Sequence, residues 1–385
     1  MRILQVHNFY QQAGGEDQVV AAEHDLLSAH GHNVYQYLAH NNEVNRLSAL
    51  TLGIKSLWNS ETYQAIRRII TQQSIEILHV HNTLPLISPA VYQAARSLGV
   101  PVIQTLHNYR LLCPAATFCR QGEVCELCLH RSIKIPAMRH RCYRGNFAAS
   151  SAVTAMLALH SFAGTYQKKI HIYIALSEFA RSKFCEGGLP ADRIVVKPNF
   201  LSNDPGVGQG NGGYALFAGR LTVEKGLIHL LDAWAANPAA IPLRIAGDGP
   251  LCDLVRERTN ILPNVEYLGV CEHTRVLALL KDAAYLVFPS RWYEGMPMVV
   301  LEAMACGTPV VAFALGSLND LIDDGVNGIM LPLDNPHLLP QPPDRMASLR
   351  TGARRHFEQR FTARKNLQLL TDVYLRALNR AHSIS

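Results

Sequence analysis

The chain has 385 residues, 48% of them hydrophobic, and a formal net charge of +6. This length and apolar content predict two domains with large cores. The longest mildly apolar run, 150–164, is too short and too polar for a membrane span, which needs about 20 apolar residues. The chain opens directly on a predicted strand, so we expect no signal peptide. Nine cysteines, an odd number, then favour a reducing cytoplasm over a disulfide framework.

The alternation of strands and helices predicts an α/β protein with two parallel sheets that carry helices on both faces. In the first half, apolar runs predict strands at 3–6, 34–38, 75–80, 101–106, 170–176 and 194–197. We expect this first domain to span 1–201 and to contain a cysteine-rich, basic insertion at about 108–165.

A glycine-rich segment, 202–213, breaks the alternating pattern and predicts a linker. A second domain is expected over 214–335. The remainder, 336–385, begins with a polar, proline-rich stretch that leads to two predicted helices, 345–359 and 363–381.

Two loops of the first domain are candidate binding sites. Gly14 and Gly15 follow the first strand and precede a predicted helix at 17–30. Because glycine lets the backbone approach a ligand and a helix start attracts anions, this loop suits an anionic group. His107 ends the fourth strand. A lone histidine at a strand end is more often structural than catalytic, so both interpretations stay open at this point.

Four cysteines of the insertion have a spacing suited to a metal. Cys125 and Cys128 are separated by two residues, and Cys113 and Cys142 would complete a four-thiolate site. A structural zinc would order a long segment that lacks a strand pattern of its own. The alternative is a set of buried or merely reduced thiols.

The positive charge is concentrated in the same region. Residues 1–205 hold 19 Lys and Arg against 13 Asp and Glu, whereas 206–385 hold 17 of each. From 127 to 177 there is no acidic residue, and cations are interleaved with apolar residues. Five of these cations lie between 131 and 144, and they are Arg131, Lys134, Arg139, Arg141 and Arg144. Such a surface suits anionic lipid headgroups or an anionic acceptor. Nucleic acid is the rival partner, and a solvated loop with a local charge excess is the third interpretation.

A loop and a helix start in the second half lie between two glutamates. The run 284–290 reads as a buried strand, and Pro297 suits the first position of the next helix. No capping residue precedes Pro297, so the nearby backbone N–H groups are available to an anion at the strand end. These groups belong to Gly295, Met296, Met298 and Val299, and Glu294 and Glu302 flank them. A nucleoside diphosphate sugar has a matching layout of ribose hydroxyls, diphosphate and sugar hydroxyls. The alternative is a capping glutamate and an ordinary surface glutamate.

The string Glu-Gly-x-Pro-x-x-x-Leu-Glu-Ala-x-Ala-x-Gly-x-Pro-Val-Val-Ala, which begins at Glu294, closely resembles the donor-site signature of retaining glycosyltransferases of family 4. Residues 218–226, Ala-Gly-Arg-Leu-Thr-Val-Glu-Lys-Gly, look like the Gly-Arg…Lys-Gly element of that family. His107-Asn108-Tyr109 stands where the family has His-Asp-Tyr or His-Asn-Tyr. The cysteine segment, with its opening Asn-Tyr-Arg-Leu-Leu-Cys-Pro, also resembles that of many family members.

The resemblance implies the GT-B fold, in which two Rossmann-like, doubly wound domains face a central cleft and the last helix crosses back to the first domain. It assigns Arg220 and Lys225 to the donor diphosphate, whose growing negative charge two cations would neutralise. Glu294 would hold hydroxyls of the transferred sugar, and Glu302 would hold those of the ribose.

In the first domain, the resemblance directs His107 toward the transferred sugar and places Gly14 and Gly15 near the phosphates and the acceptor. The chain contains no Asp-x-Asp pair of the kind that holds a metal in GT-A transferases, no dinucleotide fingerprint with Gly-x-Gly-x-x-Gly between a strand and a helix, and no Walker A string. We therefore expect catalysis without a metal or another cofactor.

These observations predict a retaining glycosyltransferase that moves a sugar from a nucleoside diphosphate donor to a lipid-linked or glycan acceptor in polysaccharide or glycolipid assembly. It would be cytoplasmic and peripheral on the inner face of the membrane, with its basic stretch on anionic lipid and no nucleic acid partner. The alternatives are a GT-B sugar-nucleotide epimerase or hydrolase and a non-catalytic protein that binds sugar nucleotides.

Overall fold

The computed structural model describes residues 1–11, 14–334 and 346–382, which form two compact units. The first unit contains 1–118, 126–199 and the chain from Asn366 onward, and the second contains 119–125 and 200–365. The predicted end of the second domain at 335 and the predicted helix start at 345 lie outside the described residues.

Strands and helices alternate along most of the described chain. The strands are β1 (Arg2–Phe9), β2 (Asn33–His40), β3 (Ile77–Val80), β4 (Val102–Leu106), β5 (Cys119–Arg120), β6 (Glu123–Val124), β7 (Ile172–Ala175), β8 (Ile194–Val196), β9 (Ala215–Ala218), β10 (Leu243–Ala246), β11 (Val265–Gly269), β12 (Tyr285–Phe288), β13 (Val310–Phe313) and β14 (Gly328–Leu331). The α-helices are α1 (Gly15–Ala29), α2 (Ala49–Leu57), α3 (Ser60–Gln73), α4 (Ala90–Arg96), α5 (Ile135–Arg139), α6 (Phe147–Phe162), α7 (Glu178–Glu186), α8 (Leu227–Ala236), α9 (Cys252–Thr259), α10 (His273–Asp282), α11 (Met298–Ala305), α12 (Leu318–Leu321), α13 (Met346–Arg360) and α14 (Ala363–His382).

The first unit is built on a parallel sheet of six strands in the order β2-β1-β3-β4-β7-β8. Every residue of β3, β4 and β7 is buried, as expected for a parallel sheet covered on both faces. Helix α14 contributes Leu370, Val373 and Tyr374 to the core that contains Ile3 and Ile77. The C-terminal helix is therefore part of the core of the first unit.

The second unit is built on a parallel sheet in the order β11-β10-β9-β12-β13-β14. Its buried core joins strand residues such as Phe217 and Val287 to Leu230 and Trp234 of α8. The prediction of two parallel α/β sheets is thus confirmed, and the strand limits differ from the predicted ones by one or two residues at most ends.

Each sheet has one point at which successive strands are added on opposite sides. In the first sheet, this point lies between β1 and β3, and in the second it lies between β9 and β12. Loops leave such a pair of strands in opposite directions, so their carboxyl ends border a crevice that suits a ligand. The predicted site loops after β1, β9 and β12 lie at these points, whereas His107 ends β4, the strand next to β3.

The cysteine-rich insertion has more regular structure than the sequence predicted. It contains the short antiparallel pair β5 and β6 as well as α5 and α6. Helix α6 forms because the run 147–162 is uncharged and rich in alanine, and because the Asn146 side chain accepts a hydrogen bond from the Ala149 N–H as a cap. The expectation that this segment lacks strands was wrong.

The segment predicted as a linker, 202–213, belongs to the second unit and is hydrogen-bonded to other parts of it. The N–H groups of Gly208, Gly210 and Gly212 donate to the carbonyls of Cys306, Lys281 and Asp282 at 2.8–2.9 Å. A Cβ atom at Gly208 would stand 2.2 Å from the Lys281 carbonyl oxygen, so this contact requires glycine. Within the part of the chain that the structure describes, no helix has both the length and the apolar content needed to cross a bilayer.

Candidate functional site

Glycine turns connect the strand ends at the switch point of the second sheet. The Gly219 N–H donates to Ala246 O at 3.0 Å, and the Leu221 N–H donates to Asp248 O at 2.8 Å. A Cβ atom on Gly247 would stand 1.9 Å from Gly219 O. The turns after β9 and β10 therefore approach each other more closely than any side chain would allow.

A second close approach fixes Lys225 beside the loop that follows β12. Gly226 has a positive φ of 73°, and a Cβ atom there would stand 1.9 Å from the carbonyl oxygen of Pro289. This contact brings the preceding residue, Lys225, against the strand end. The Lys225 ammonium lies 5.2 Å from the Phe288 ring centre and 5.5 Å from that of Trp292, within cation–π range.

The carboxylate of Glu294 is buried and accepts three hydrogen bonds on one oxygen. Its Oε1 atom accepts from Lys225 Nζ at 2.7 Å, from Ser290 Oγ at 2.6 Å and from Trp292 Nε1 at 2.6 Å. The Ser317 hydroxyl also donates to the backbone carbonyl of Glu294 at 2.8 Å. Lys225 and Glu294, which the sequence predicted as separate ligand contacts, thus form one ion pair. No sequence pattern pointed to Ser290 or Trp292.

The start of α11 is not capped by a side chain, as predicted. Pro297 occupies the N-cap position rather than the first helical position, and no side chain accepts a hydrogen bond there. The first N–H groups of a helix have no carbonyl partner within it, so those of Met298 and Val299 point outward from the helix start. Gly295 and Met296 precede them in the same loop. An anion would find N–H donors and the positive end of the helix dipole at this position.

Glu302 lies on α11 and is buried, with its Oε1 atom 2.9 Å from Nε2 of His273. His273 is the first residue of α10, and the sequence interpretation missed it. Arg220 follows β9 after a single residue, Gly219, and its side chain is exposed. Its guanidinium therefore remains accessible to a ligand, whereas the ammonium of Lys225 is already paired.

In the first unit, Gly14 occupies the N-cap position of α1, and Gly15 is its first residue. The Gly14 N–H donates to Asp17 Oδ2 at 2.9 Å, and Asp17 Oδ1 lies 2.7 Å from Nε2 of the buried His7. Asp17 therefore holds the glycine loop against β1. Its neighbour Glu16 has a pKa raised to about 7, chiefly by burial and then by the Asp17 charge.

His107 lies at the end of β4, half-buried beside a cavity of about 50 Å³ that His81, Asn82 and Arg110 also line. Its Nε2 atom is 3.0 Å from Nδ1 of His81, and the two rings are stacked at 5.3 Å. Burial, and then the nearby His7 and Lys197, hold the pKa of His107 well below its usual value. The imidazole is therefore neutral at pH 7 and acts as a hydrogen-bonding group, not as a cation.

The four cysteines predicted to bind zinc do not converge. Among the described residues, two groups of His, Cys, Asp and Glu bring at least three ligand atoms within 4.8 Å of one another, and neither includes a cysteine. Cys128 lies near Cys113 and Cys142. Burial of the Cys128 thiol, and then the charges of these two neighbours, raise its pKa to about 11. Cys125 belongs to the 119–125 segment of the second unit. The zinc site therefore stays a prediction, which metal analysis of purified protein would test.

We predict that Gly226→Ala misplaces Lys225. The added methyl group would overlap Pro289 O, in addition to the strain of a positive φ. The control is Gly269→Ala, where φ is 69° but no atom lies within 4 Å of the new methyl group. We expect the control to lose about 1 kcal/mol of stability and the Gly226 variant clearly more, as measured by urea unfolding. Equal losses would show that the contact with Pro289 O does not constrain the loop.

Comparisons with known proteins are consistent with this geometry. Residues 12–199 match the model of a glycosyl transferase 4-like domain, and residues 212–341 match that of glycosyl transferases group 1. An uncharacterised glycosyltransferase of Methanocaldococcus jannaschii is 27% identical over 74% of this chain and 68% of its own length. D-inositol 3-phosphate glycosyltransferase 1 of Catenulispora acidiphila is 27% identical over 73% of this chain and 68% of its own length.

Two solved structures share the fold. The HepE protein of Anabaena, solved in complex with UDP and glucose, is 18% identical with a TM-score of 0.67 over 97% of this chain and 99% of its own. Sucrose-phosphate synthase of Thermosynechococcus elongatus is 16% identical, with a TM-score of 0.69 over 97% of this chain and 98% of its own. With the two family matches, which together cover most of the chain, these results establish that the protein is a glycosyltransferase with the GT-B fold and belongs to family 4.

Proposed function

We propose that this glycosyltransferase takes a sugar from a nucleoside diphosphate donor bound at the switch point of the second sheet. The observation that carries the proposal is the Lys225–Glu294 pair at 2.7 Å beside the uncapped start of α11. This arrangement combines a cation, a carboxylate and N–H donors, which suit a phosphate and the hydroxyls next to it. The UDP and glucose bound by the Anabaena protein support this donor class.

Each predicted contact has a chemical reason. The exposed Arg220 and the ammonium of Lys225 would neutralise the charge that grows on the leaving diphosphate. The backbone N–H groups at the start of α11 would bind the same phosphates. Glu302 contacts the exposed His273 in the structure. Its carboxylate would accept hydrogen bonds from the ribose hydroxyls of the donor. Glu294 would hold hydroxyls of the transferred sugar.

We propose that transfer proceeds with retention and without a metal or another cofactor, as the family resemblance implies. The bond from the anomeric carbon to the phosphate oxygen breaks while the acceptor oxygen bonds to the same face of that carbon. The leaving phosphate takes the proton of the acceptor hydroxyl. A neutral His107 would stabilise the transferred sugar by a hydrogen bond and add no charge.

The donor site is tested by Glu302→Ala. Removing this carboxylate should weaken binding of free nucleoside diphosphate by roughly 1.5–3 kcal/mol, because a charge-assisted hydrogen bond to ribose is lost. His273 is exposed and can turn to solvent, so the fold should be preserved. Glu294→Ala should lower turnover more than nucleotide affinity. Calorimetric titration with UDP, GDP and ADP measures the first effect, and donor turnover measures the second.

The control for this test is Glu266→Ala, which removes an exposed carboxylate of the same unit that pairs with Arg244. Its nucleotide affinity should match that of the parent. Assays in EDTA examine metal independence, and a parent activity that disappears in chelator and returns with Mg²⁺ would contradict it. Sugar release without acceptor would favour the hydrolase, and binding without any turnover would favour the non-catalytic alternative.

For the acceptor, we propose a lipid-linked or glycan molecule reached from an anionic membrane surface. The exposed side chains of Arg131, Arg139, Arg141 and Arg144 lie in the acid-free stretch. Lys134, which the sequence grouped with these cations, is buried, and its Nζ atom donates to Cys128 O at 2.8 Å. This lysine is therefore not available to lipid, and the count of cations on this surface is corrected to four.

Exposed apolar side chains accompany these cations. Ile133, Ile135, Phe147 and Phe162 are 44–69% exposed. Helix α2, which packs on α6, adds Leu50 and Ile54, and its C-cap residue Trp58 follows one turn later, with exposures of 75%, 57% and 40%. We name these four arginines and seven apolar residues the basic-apolar surface. A surface of cations and large exposed apolar groups is typical of proteins that dock on a membrane interface. We propose on this basis that the protein docks as a peripheral protein on the inner, cytoplasmic face of the membrane and that its basic residues serve lipid and not nucleic acid.

The membrane proposal is tested by replacing Arg139, Arg141 and Arg144 together with glutamine. Each cation near an anionic surface contributes about 1 kcal/mol, so the triple variant should lose roughly 3 kcal/mol of binding. Sedimentation with anionic liposomes at low salt measures this loss. Transfer to a lipid-linked acceptor should slow, whereas transfer to a short soluble acceptor should be unchanged.

The matched control replaces Arg256, Arg355 and Arg360, three exposed arginines of the second unit, and so changes the net charge equally. It should sediment like the parent. A parent protein that does not sediment with anionic liposomes would contradict membrane docking, and equal loss in both triple variants would assign the binding to net charge alone.

A further inference from the structure

A chain of buried polar side chains leads from the interior of the first unit to His107. His79 and His81 lie two positions apart, at the end of β3, and Glu23 comes from α1. Glu23 and His79 are fully buried, and His81 is 4% exposed. Burial of such groups is costly unless each polar atom has a partner, so their contacts can be followed atom by atom.

The ligand atoms of Glu23, His79 and His81 lie close enough together to hold a metal, but a lysine already supplies the positive charge. Nζ of the buried Lys197 donates to Glu23 Oε1 at 2.8 Å, to Asn366 Oδ1 at 2.6 Å and to Pro198 O at 3.3 Å. An ammonium has three N–H donors, and all three are directed to acceptors. The cluster is therefore a buried ion pair and not a metal site.

Both ring nitrogens of His79 also have partners. Its Nδ1 atom is 2.9 Å from the Tyr374 hydroxyl, and its Nε2 atom is 2.8 Å from the Thr105 hydroxyl. Two atoms of the cluster remain buried without a hydrogen-bond partner in the described structure, Oε2 of Glu23 and Nε2 of His81. They face each other across 3.8 Å. A shift of about 1 Å, or one bridging water, would turn this contact into a hydrogen bond.

The carboxylate determines which nitrogen of His81 carries its proton. A carboxylate oxygen is an acceptor only, so it favours an N–H at Nε2 of His81 over a lone pair. Burial, and then the neighbouring His79 and His107, hold the pKa of His81 well below its usual value. The ring is therefore neutral at pH 7, and a proton on Nε2 leaves the lone pair on Nδ1. That lone pair faces His107 Nε2 at 3.0 Å.

We propose that Glu23 is a positioning residue that sets the tautomer of His107 through His81. The Nδ1 lone pair of His81 requires a donor, so His107 carries its single proton on Nε2. The Nδ1 atom of His107 is then left as a hydrogen-bond acceptor. This inference rests on the proposed function only in its last step, in which His107 Nδ1 accepts a hydrogen bond from a hydroxyl of the transferred sugar.

We call the contacts from Glu23 through His81 to His107 the relay. The variant Glu23→Gln should reverse the tautomers of both histidines in this relay. Lys197 would keep the amide oxygen, because an ammonium needs an acceptor, and the amide NH₂ group would then face His81 Nε2. His81 would have to carry its proton on Nδ1 and donate it to His107 Nε2. His107 would then be protonated on Nδ1 and could no longer accept a hydrogen bond from the sugar there.

The tautomer is read directly by long-range ¹⁵N–¹H correlation spectra of ¹⁵N-histidine-labelled protein at neutral pH, with His107 assigned from the His107→Gln variant. We expect protonation on Nε2 in the parent and on Nδ1 in Glu23→Gln. A parent His107 that is protonated on Nδ1 overturns the proposal, and so does an unchanged tautomer in a folded Glu23→Gln variant. If that variant fails to fold, the tautomer of His107 in the parent spectrum still tests the proposal.

The matched control is Tyr374→Phe, which removes a hydroxyl from the same buried cluster but leaves Glu23, His81 and His107 in place. Its His107 should keep the parent tautomer, and a change there would assign the effect to general disturbance of the cluster and overturn the relay.

Kinetics test the last step. With donor at saturation, Glu23→Gln should lower kcat by about 10- to 100-fold, the range for a mismatched hydrogen bond in a buried site. Nucleotide affinity should stay at the parent value, because the relay does not reach the donor's base or phosphates. An unchanged kcat with a reversed tautomer overturns the link to the sugar. A parent that turns over no sugar nucleotide contradicts the proposed function, and the tautomer, read without substrate, is then judged separately.

Discussion

The central strands of both sheets are buried on both faces, and this constraint determines where the chemistry of the protein can lie. In the second sheet, β9, β12 and β13 present nearly unbroken apolar side chains to helices on either side. In this second sheet, polar side chains then gather where the strands end, and the order of the strands determines the pair of strands at which the loops diverge. The switch point between β9 and β12 therefore determines where Arg220, Lys225 and the start of α11 lie.

The two units hold their candidate site residues by different means. In the second unit, close backbone contacts do this, since Gly226 and Gly247 bring one loop within van der Waals distance of another. In the first unit, polar side chains lie within the strands themselves, and His7 and His79 are fully buried. Their hydrogen bonds to Asp17, Tyr374 and other partners offset the cost of burial.

Much of this was readable from the sequence, because apolar runs predict buried strands and glycine loops mark their ends. The α/β class, the order of the strands along the chain and the uncapped start of α11 were predicted on such local signals. His273 and Glu23 were not, because their partners come from other elements and no spacing rule links them. Lys134 was misjudged for a related reason, since a basic stretch does not reveal which of its cations turns inward to a backbone carbonyl.

Helix α14 has a consequence for how the protein is made. Its side chains complete the core of the first unit, with Leu370 and Tyr374 among strand residues near the N-terminus, and Asn366 accepts from Lys197. A ribosome delivers β1 early and α14 only after the whole second unit has been synthesised. Until then, the face of the first sheet that α14 covers is exposed to water, and Lys197 lacks one of its three acceptors. The unit that is translated first is therefore the one that finishes folding last.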